Sequence, residues 1–268
     1  FYRFTKGNWN WSGRGIKNSA SGSISFSRVS QVLLTEQYKF LQAYNAKERT
    51  WIDLSWNLPR KSDEYFERIV VDPFDANNIF LLTTNRLLQS TNGGKSWTEL
   101  PSAIPVYDSY RSGIVYLFGT NRTLLKSTDS GQTFYSFPLK CSQCPRYMSG
   151  MTVDPFDERA LYFTMPSGIW KSIDGGLTIQ KTGKVSSGVL AALPFRNQYM
   201  LLSKEGNLFK TTTGRREWKK FTSLGAVNNY SQIKLLVLDT KGKVIAAVHD
   251  NLRLFLSFDS GHTWIRPL

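Results

Sequence analysis

The residues that could do chemistry fall into a few groupings. Asp72 and Asp75, and again Asp154 and Asp157, are carboxylates three residues apart. Two carboxylates facing across a bond are what acid–base hydrolysis of a glycoside requires. Here each pair sits in the same phrase, Val-Asp-Pro-Phe-Asp, between two apolar runs, which reads as a structural turn used twice. Gly93-Gly-Lys-Ser96 has the tail of a phosphate-binding loop. Gln89 stands where the first glycine is needed and no helix follows, so nucleotide binding is rejected. Cys141-Ser-Gln-Cys144 has redox spacing, but a redox pair needs a helix start after a strand, and Pro138 and Pro145 put this segment in a loop. A local disulfide in an oxidising compartment fits best, ahead of two free thiols and of redox catalysis. The two histidines, His249 and His262, leave a zinc site short of ligands, so no metal is expected. No cofactor motif is present.

The elements that must position these groups announce themselves by repetition. Ser90-Thr-Asn-Gly-Gly-Lys-Ser-Trp97, Ser127-Thr-Asp-Ser-Gly-Gln-Thr-Phe134, Ser172-Ile-Asp-Gly-Gly-Leu-Thr-Ile179 and Ser257-Phe-Asp-Ser-Gly-His-Thr-Trp264 share one pattern. Its structural positions are Ser90, Asn92, Gly94 and Trp97; Ser127, Asp129, Gly131 and Phe134; Ser172, Asp174 and Gly176; and Ser257, Asp259, Gly261 and Trp264. Each copy follows an apolar run, as in Leu87-Leu88 and Leu124-Leu125. The carboxylate or amide can accept turn N–H groups, Gly supplies positive φ, and the terminal aromatic covers the polar turn. Degenerate copies end at Trp51 and Trp218, so the closing positions recur every ~40 residues, the length of a four-stranded propeller blade. The expectation is an all-β chain, a β-propeller of six four-stranded antiparallel blades, with a seventh if the parent chain is longer. Residues 23–268 form the propeller, and residues 1–22 an N-terminal arm or ring-closing segment.

On these motifs the chain resembles the Asp-box, or BNR-repeat, β-propeller superfamily over about residues 24–268. It is most similar to the xyloglucanase, photosystem II assembly factor and sortilin-type branches. The resemblance implies a propeller whose Asp boxes are structural, so Asp129, Asp174 and Asp259 are expected to serve folding. A sialidase-like site would need an arginine cluster with a Tyr–Glu pair and an acid, and Tyr2-Arg3-Phe4 lacks the proline of the sialidase first-blade motif. A xyloglucanase-like site would draw on Asp63, Glu64, Asp108 or Asp250, but such enzymes resemble two facing propellers.

Strand alternation puts the Asp-Pro-Phe and Asp-box turns on one face and the remaining loops on the other. That second face is the expected binding mouth, with Arg86, Asp108, Arg111, Arg122, Arg146, Glu205 and His249 as candidates. A second candidate is a basic rim around Trp218, made of Arg215, Arg216, Lys219 and Lys220.

The 268 residues carry 34 Lys and Arg against 20 Asp and Glu, a net charge of +14. That balance favours an acidic protein surface or multiprotein assembly as partner, or an anionic glycan. No RNA- or DNA-reading motif is present, which argues against nucleic acid. No run of eighteen apolar residues suggests a transmembrane segment. The reading is a non-catalytic, protein-binding or assembly scaffold in an extracellular, periplasmic or organelle-lumen setting. The alternative is a glycan-active enzyme, sialidase-like or another glycoside hydrolase, or a carbohydrate-binding propeller.

Overall fold

The computed structural model describes residues 2–5, 8–11, 24–27, 29–30, 32–37, 40–45, 50–59, 61–119, 123–140, 148, 150–154, 156–165, 167–183, 188–193, 198–203, 206–212, 218–225, 234–237, 243–249 and 253–266. The chain divides into two compact units, Phe1–Ser136 and Phe137–Leu268.

In unit one, β1 (Tyr2–Thr5) and β2 (Asn8–Trp11) form a two-stranded hairpin. Three meandering antiparallel sheets follow. The first sheet holds β3 (Ile24–Ser27), β4 (Val32–Gln37), β5 (Phe40–Asn45) and β6 (Thr50–Asp53). A 3₁₀ turn at Ser55–Asn57 leads to the second: β7 (Phe66–Val71), β8 (Ile79–Thr83), β9 (Leu87–Ser90) and β10 (Thr98–Leu100). The third holds β11 (Ala103–Tyr107), β12 (Val115–Gly119), β13 (Thr123–Ser127) and β14 (Tyr135–Pro138), the last reaching the unit boundary.

Unit two repeats the plan. Its fourth sheet holds β15 (Gly150–Val153), β16 (Leu161–Met165), β17 (Gly168–Ser172) and β18 (Gln180–Gly183). The fifth holds β19 (Gly188–Leu193), β20 (Gln198–Ser203), β21 (Asn207–Thr212) and β22 (Lys219–Ser223). The sixth has β23 (Lys234–Val237), β24 (Ile245–His249) and β25 (Arg253–Ser257). Among the described residues its fourth strand is reduced to one antiparallel bridge, Leu256 to Ile265. Among the described residues no helix is long and apolar enough to cross a membrane.

The second strand of a sheet is the most buried, because both of its faces pack. Ile79, Phe80, Leu81 and Leu82 are all buried, as are Leu161, Tyr162 and Phe163. An all-apolar run, rather than alternation, is what such a doubly covered strand demands. The fourth strands are exposed and polar, as Thr98–Leu100 and Lys219–Ser223 show.

The turn between third and fourth strands has the same hydrogen bonds four times. The Ser Oγ accepts the N–H of the glycine four residues on, at 2.8 Å for Ser90–Gly94, Ser127–Gly131 and Ser172–Gly176 and 2.7 Å for Ser257–Gly261. The serine hydroxyl donates to the Asp or Asn side chain. That side chain accepts the N–H of the residue four further on: Ser96, Thr133, Thr178 or Thr263. In the three Asp turns the threonine hydroxyl also donates to the second carboxylate oxygen at 2.6 Å. At Asn92 the bond reverses, and the amide donates to Ser96 Oγ at 2.7 Å.

The turn between first and second strands is a second repeated unit. Asp72, Asp108 and Asp154 each receive the N–H two residues on at 2.8 Å. The same three donate their own N–H groups to Asn78, Ile114 and Ala160 carbonyls at 2.9 Å. One bond stitches the two turns of a sheet together: Gly93 N to Asn77 O, Ser130 N to Gly113 O, Gly175 N to Arg159 O, and Ser260 N to Lys243 O.

The fifth residue of the Ser-to-aromatic turn meets the preceding sheet. A Cβ on Gly131 (φ +91°) would lie 2.7 Å from Gln89 Nε2 and 3.0 Å from Phe80 Cζ. Gly175 has similar φ, +75°, and open space around it. Ala at either position adopts a backbone that costs about 1 kcal/mol, and only Gly131→Ala also collides with a buried ring. In urea unfolding, Gly131→Ala should therefore lose about 2–3 kcal/mol and Gly175→Ala about 1 kcal/mol. Equal losses would refute the close approach.

The carboxylates also predict acid sensitivity. Hydrogen bonds from Ser127 and then Thr133 hold the Asp129 carboxyl down to about 2. In Asp174 and Asp259 burial pushes upward, but bonds from Thr178 or Thr263 and from Ser172 or Ser257 outweigh it, and both lie below the usual range. A folded value below the unfolded one, ~3.9, adds stability that is complete above it and is lost as pH falls through the folded value. Asp72 has the opposite sign: burial raises it, so its protonation favours the fold. Thermal melting from pH 5 to 2 should show the wild type losing stability below about pH 4, and Asp129→Asn losing less over that interval. Superimposable profiles would contradict the assignment.

Candidate functional site

Of the groups expected at a binding mouth, the three whose side chains are described, Arg86, Asp108 and Arg111, are engaged in ion pairs within unit one. Arg86 lies in the loop between β8 and β9 and is buried, at 4 % exposure. Its Nε donates to Glu64 Oε1 at 2.8 Å, one terminal nitrogen to Glu99 Oε2 at 2.7 Å, and the other to Glu64 Oε2 at 2.6 Å and to the Pro59 carbonyl. Glu64 also accepts the Thr83 hydroxyl at 2.6 Å. Arg86 therefore fastens the 59–64 segment to the second sheet and is committed internally, which corrects its placement as a ligand-facing residue. The Arg86 guanidinium holds the Glu64 carboxyl below the usual carboxylate range, so Glu64 has no proton to give at neutral pH.

Asp108 and Arg111 also sit elsewhere than the sequence suggests. They belong to the turn between β11 and β12, the same end of the sheet as the Ser-to-aromatic turn. Asp108 is the counterpart of Asp72 and Asp154, buried at 1 %, and it accepts the Tyr110 and Arg111 N–H groups and the Arg111 guanidinium at 2.7 Å. The spacing from Tyr107 to Val115 hid this turn because it lacks the Pro-Phe pair. Arg122, Arg146, Glu205, Arg215, Arg216 and the pair Cys141 and Cys144 lie outside the described residues. His249 ends β24, paired with Arg253. Lys219 and Lys220 are exposed at the start of β22.

The structure adds a site that sequence reasoning missed. Unit two carries a groove of about 500 Å³ lined by Tyr162, Lys171, Ile173, Asp174, Lys181 and Trp218, among others. Tyr162 and Lys171 are cross-strand partners on β16 and β17. The Lys171 ammonium stands 5.0 Å from the Tyr162 ring centroid, a cation–π arrangement. Lys181 comes from the outermost strand, β18, and Trp218 from the residue before β22. Asp174 is held by Ser172 and Thr178, so the groove's described acid is tied into a turn. The clue in the sequence is the drift of the turn ending at Trp218, the edge already singled out as a basic rim. Among the described residues no cluster of three or more His, Cys, Asp and Glu side chains is arranged to hold a metal ion.

The buried ion pair makes a graded expectation. Removing one partner of a buried pair strands the other charge, at a cost of about 3–5 kcal/mol. Arg86→Met should lose about that much in urea unfolding, whereas Glu99→Gln, at the exposed end, should lose far less. An equal effect of the two would show that Glu64–Arg86 is not the anchoring pair.

No protein-family model matches the chain, and no curated protein sequence matches it. Solved structures do. A GH74 enzyme from Niastella koreensis superposes with a TM-score of 0.67 at 18 % identity, over 92 % of this chain and 46 % of that one. The GH74 xyloglucanase from Xanthomonas campestris gives 0.66 at 16 % identity, over 91 % and 45 %. YCF48 bound to a D1 peptide gives 0.64 at 15 % identity, over 94 % and 83 %. The chain thus spans less than half of these two GH74 proteins and most of YCF48. At this identity the likeness is one of fold, that of an all-β propeller, with six blade-like sheets among the described residues.

Proposed function

We propose that this chain is a non-catalytic propeller of the Asp-box type that binds a protein partner or serves as an assembly scaffold outside the cytoplasm. The observation that carries this reading is the groove of unit two. It presents Tyr162, Trp218, Lys171 and Lys181, but its described carboxylate, Asp174, is saturated by its own turn. Glycoside hydrolysis needs two carboxylates facing one bond, one of them able to carry a proton. Aromatic and cationic side chains without such a pair suit recognition. The net charge of +14 favours an acidic partner, and Lys219 and Lys220 extend the basic character along β22. The likeness to YCF48, seen bound to a D1 peptide, supports a peptide or protein as the partner. The placement outside the cytoplasm rests on the sequence alone, on reading Cys141-Ser-Gln-Cys144 as a local disulfide.

A glycan-active reading has one observation in its favour, the likeness to GH74 enzymes. The half-buried Trp218 ring suits stacking on a sugar, and an anionic glycan would meet the lysines. The two readings part in a single comparison. Xyloglucan and sialyllactose are incubated with the protein while reducing ends and free sialic acid are followed, and a pull-down from the native source is run at low and high salt. The expected outcome is no turnover, with one stoichiometric protein partner whose recovery falls as salt rises. Saturable hydrolysis of either glycan would overturn the proposal.

A further inference from the structure

We propose that the groove of unit two, where Lys171 and Lys181 stand beside the Tyr162 and Trp218 rings along strand β18, is a docking cleft for an extended acidic peptide segment carrying a large apolar side chain. This rests on the protein-binding reading and adds to it a site and a ligand chemistry.

Two pairs equivalent to one that lines the cleft are met closely by a glycine turn. Phe80–Gln89, Tyr162–Lys171 and Met200–Lys210 are equivalent cross-strand pairs in the second, fourth and fifth sheets. Two of these pairs are covered by the Ser-to-aromatic turn of the following sheet. Gln89 Nε2 donates to the Gly131 carbonyl at 2.9 Å, and Lys210 Nζ donates to the Ser260 carbonyl at 3.1 Å. Both approaches need glycine at the fifth turn position: a Cβ there would lie 2.7 Å from Gln89 Nε2 or 2.5 Å from Met200 Cε. In the turn that follows β21, the fifth position is Arg215. That residue lies outside the described residues, and at the Tyr162–Lys171 pair the surface holds a groove of about 500 Å³.

The lining selects the occupant. Lys171 and Lys181 are positive, the described acid Asp174 is committed to Ser172 and Thr178, and the whole chain carries +14. Carboxylates are the complementary charge. The groove continues onto apolar surface: Ile173 is 67 % and Leu177 44 % exposed. Phe156, 56 % exposed, lies on the neighbouring turn, joined to theirs by the Gly175–Arg159 hydrogen bond. The matching positions of the second and third sheets hold Thr91 and Lys95, and Thr128 and Gln132, so this paired apolar surface is peculiar to the fourth sheet. Finally, β18 is the outermost strand of its sheet, with Gln180 and Lys181 exposed. An extended chain laid along such an edge finds backbone hydrogen bonds as well as side-chain contacts.

The test is selection of a random dodecapeptide phage library on the intact protein, followed by fluorescence anisotropy with the best synthetic peptide. Enriched sequences should combine Asp or Glu with Leu, Phe or Trp. Lys171→Glu/Lys181→Glu should weaken that peptide roughly tenfold or more, and added salt should weaken it further. Lys95→Glu, an exposed change on unit one, should alter binding by less than about twofold. Because Lys171 is half-buried, the exposed Lys181→Glu is measured alone as well, with a melting curve to show that it folds. Enriched peptides without carboxylates, or binding indifferent to Lys181→Glu, would remove the cleft while leaving a protein-binding propeller in place. No enrichment would also overturn the cleft. No enrichment together with saturable quenching of tryptophan fluorescence by xyloglucan oligosaccharides would overturn both readings.

Discussion

One residue without a side chain holds neighbouring sheets in contact. At Gly94, Gly131 and Gly261 the backbone of one turn comes so close to the preceding sheet that a single methyl group would meet Leu54, Phe80 or Met200. All three have positive φ, which a glycine adopts without the Cβ clash that other residues suffer. The serine and Asp or Asn of the same turn hold that glycine where it must be. The serine hydroxyl takes the glycine N–H, and the carboxylate or amide ties the serine to the residue before the aromatic. The tryptophan then closes the turn by donating its indole N–H to the glycine carbonyl, at 3.2 Å for Trp97 and 3.0 Å for Trp264. Local hydrogen bonding and contact between sheets are thus one device. Its polar half makes the turn, and its missing side chain makes the junction.

The same device explains why so many carboxylates are present and so little acid–base chemistry is available from them. Asp129, Asp174 and Asp259 are engaged in one kind of turn and Asp72, Asp108 and Asp154 in the other. Glu64 is locked to Arg86. A carboxylate that accepts several fixed donors is stabilised as the anion, which suits it for structure and unsuits it for carrying a proton near neutral pH. Asp72 is raised by burial, yet it too caps its own turn.

Repetition also gives departures their meaning. Among the cross-strand pairs at this register, Phe80–Gln89 and Met200–Lys210 are capped by a glycine turn from the next sheet. The Tyr162–Lys171 pair lines a groove with Lys181 and Trp218. A repeat that has lost its consensus at one position loses a packing contact there and gains solvent-facing area. Function can take that area over without disturbing the rest of the scaffold.

The all-β architecture and the spacing of its sheets were legible in the chain itself, because each turn needs particular residues at fixed offsets: serine and Asp or Asn two apart, glycine four from the serine, an aromatic to finish. Those needs are local, so they leave a local signature. The turn from Asp108 to Ile114 escaped notice because its hydrogen bonds require only the Asp and the backbone, and without Pro-Phe the signature is too sparse to see. The Arg86–Glu64 pair is 22 residues apart in sequence, and nothing local marks the two as partners. The groove is the furthest from legible. Arg215 in place of glycine reads as drift, but nothing in that substitution names Tyr162 or Lys171, which the pairing of β16 with β17 sets side by side. Only the packing of one sheet against the next turn brings Tyr162, Lys171, Lys181 and Trp218 around one space.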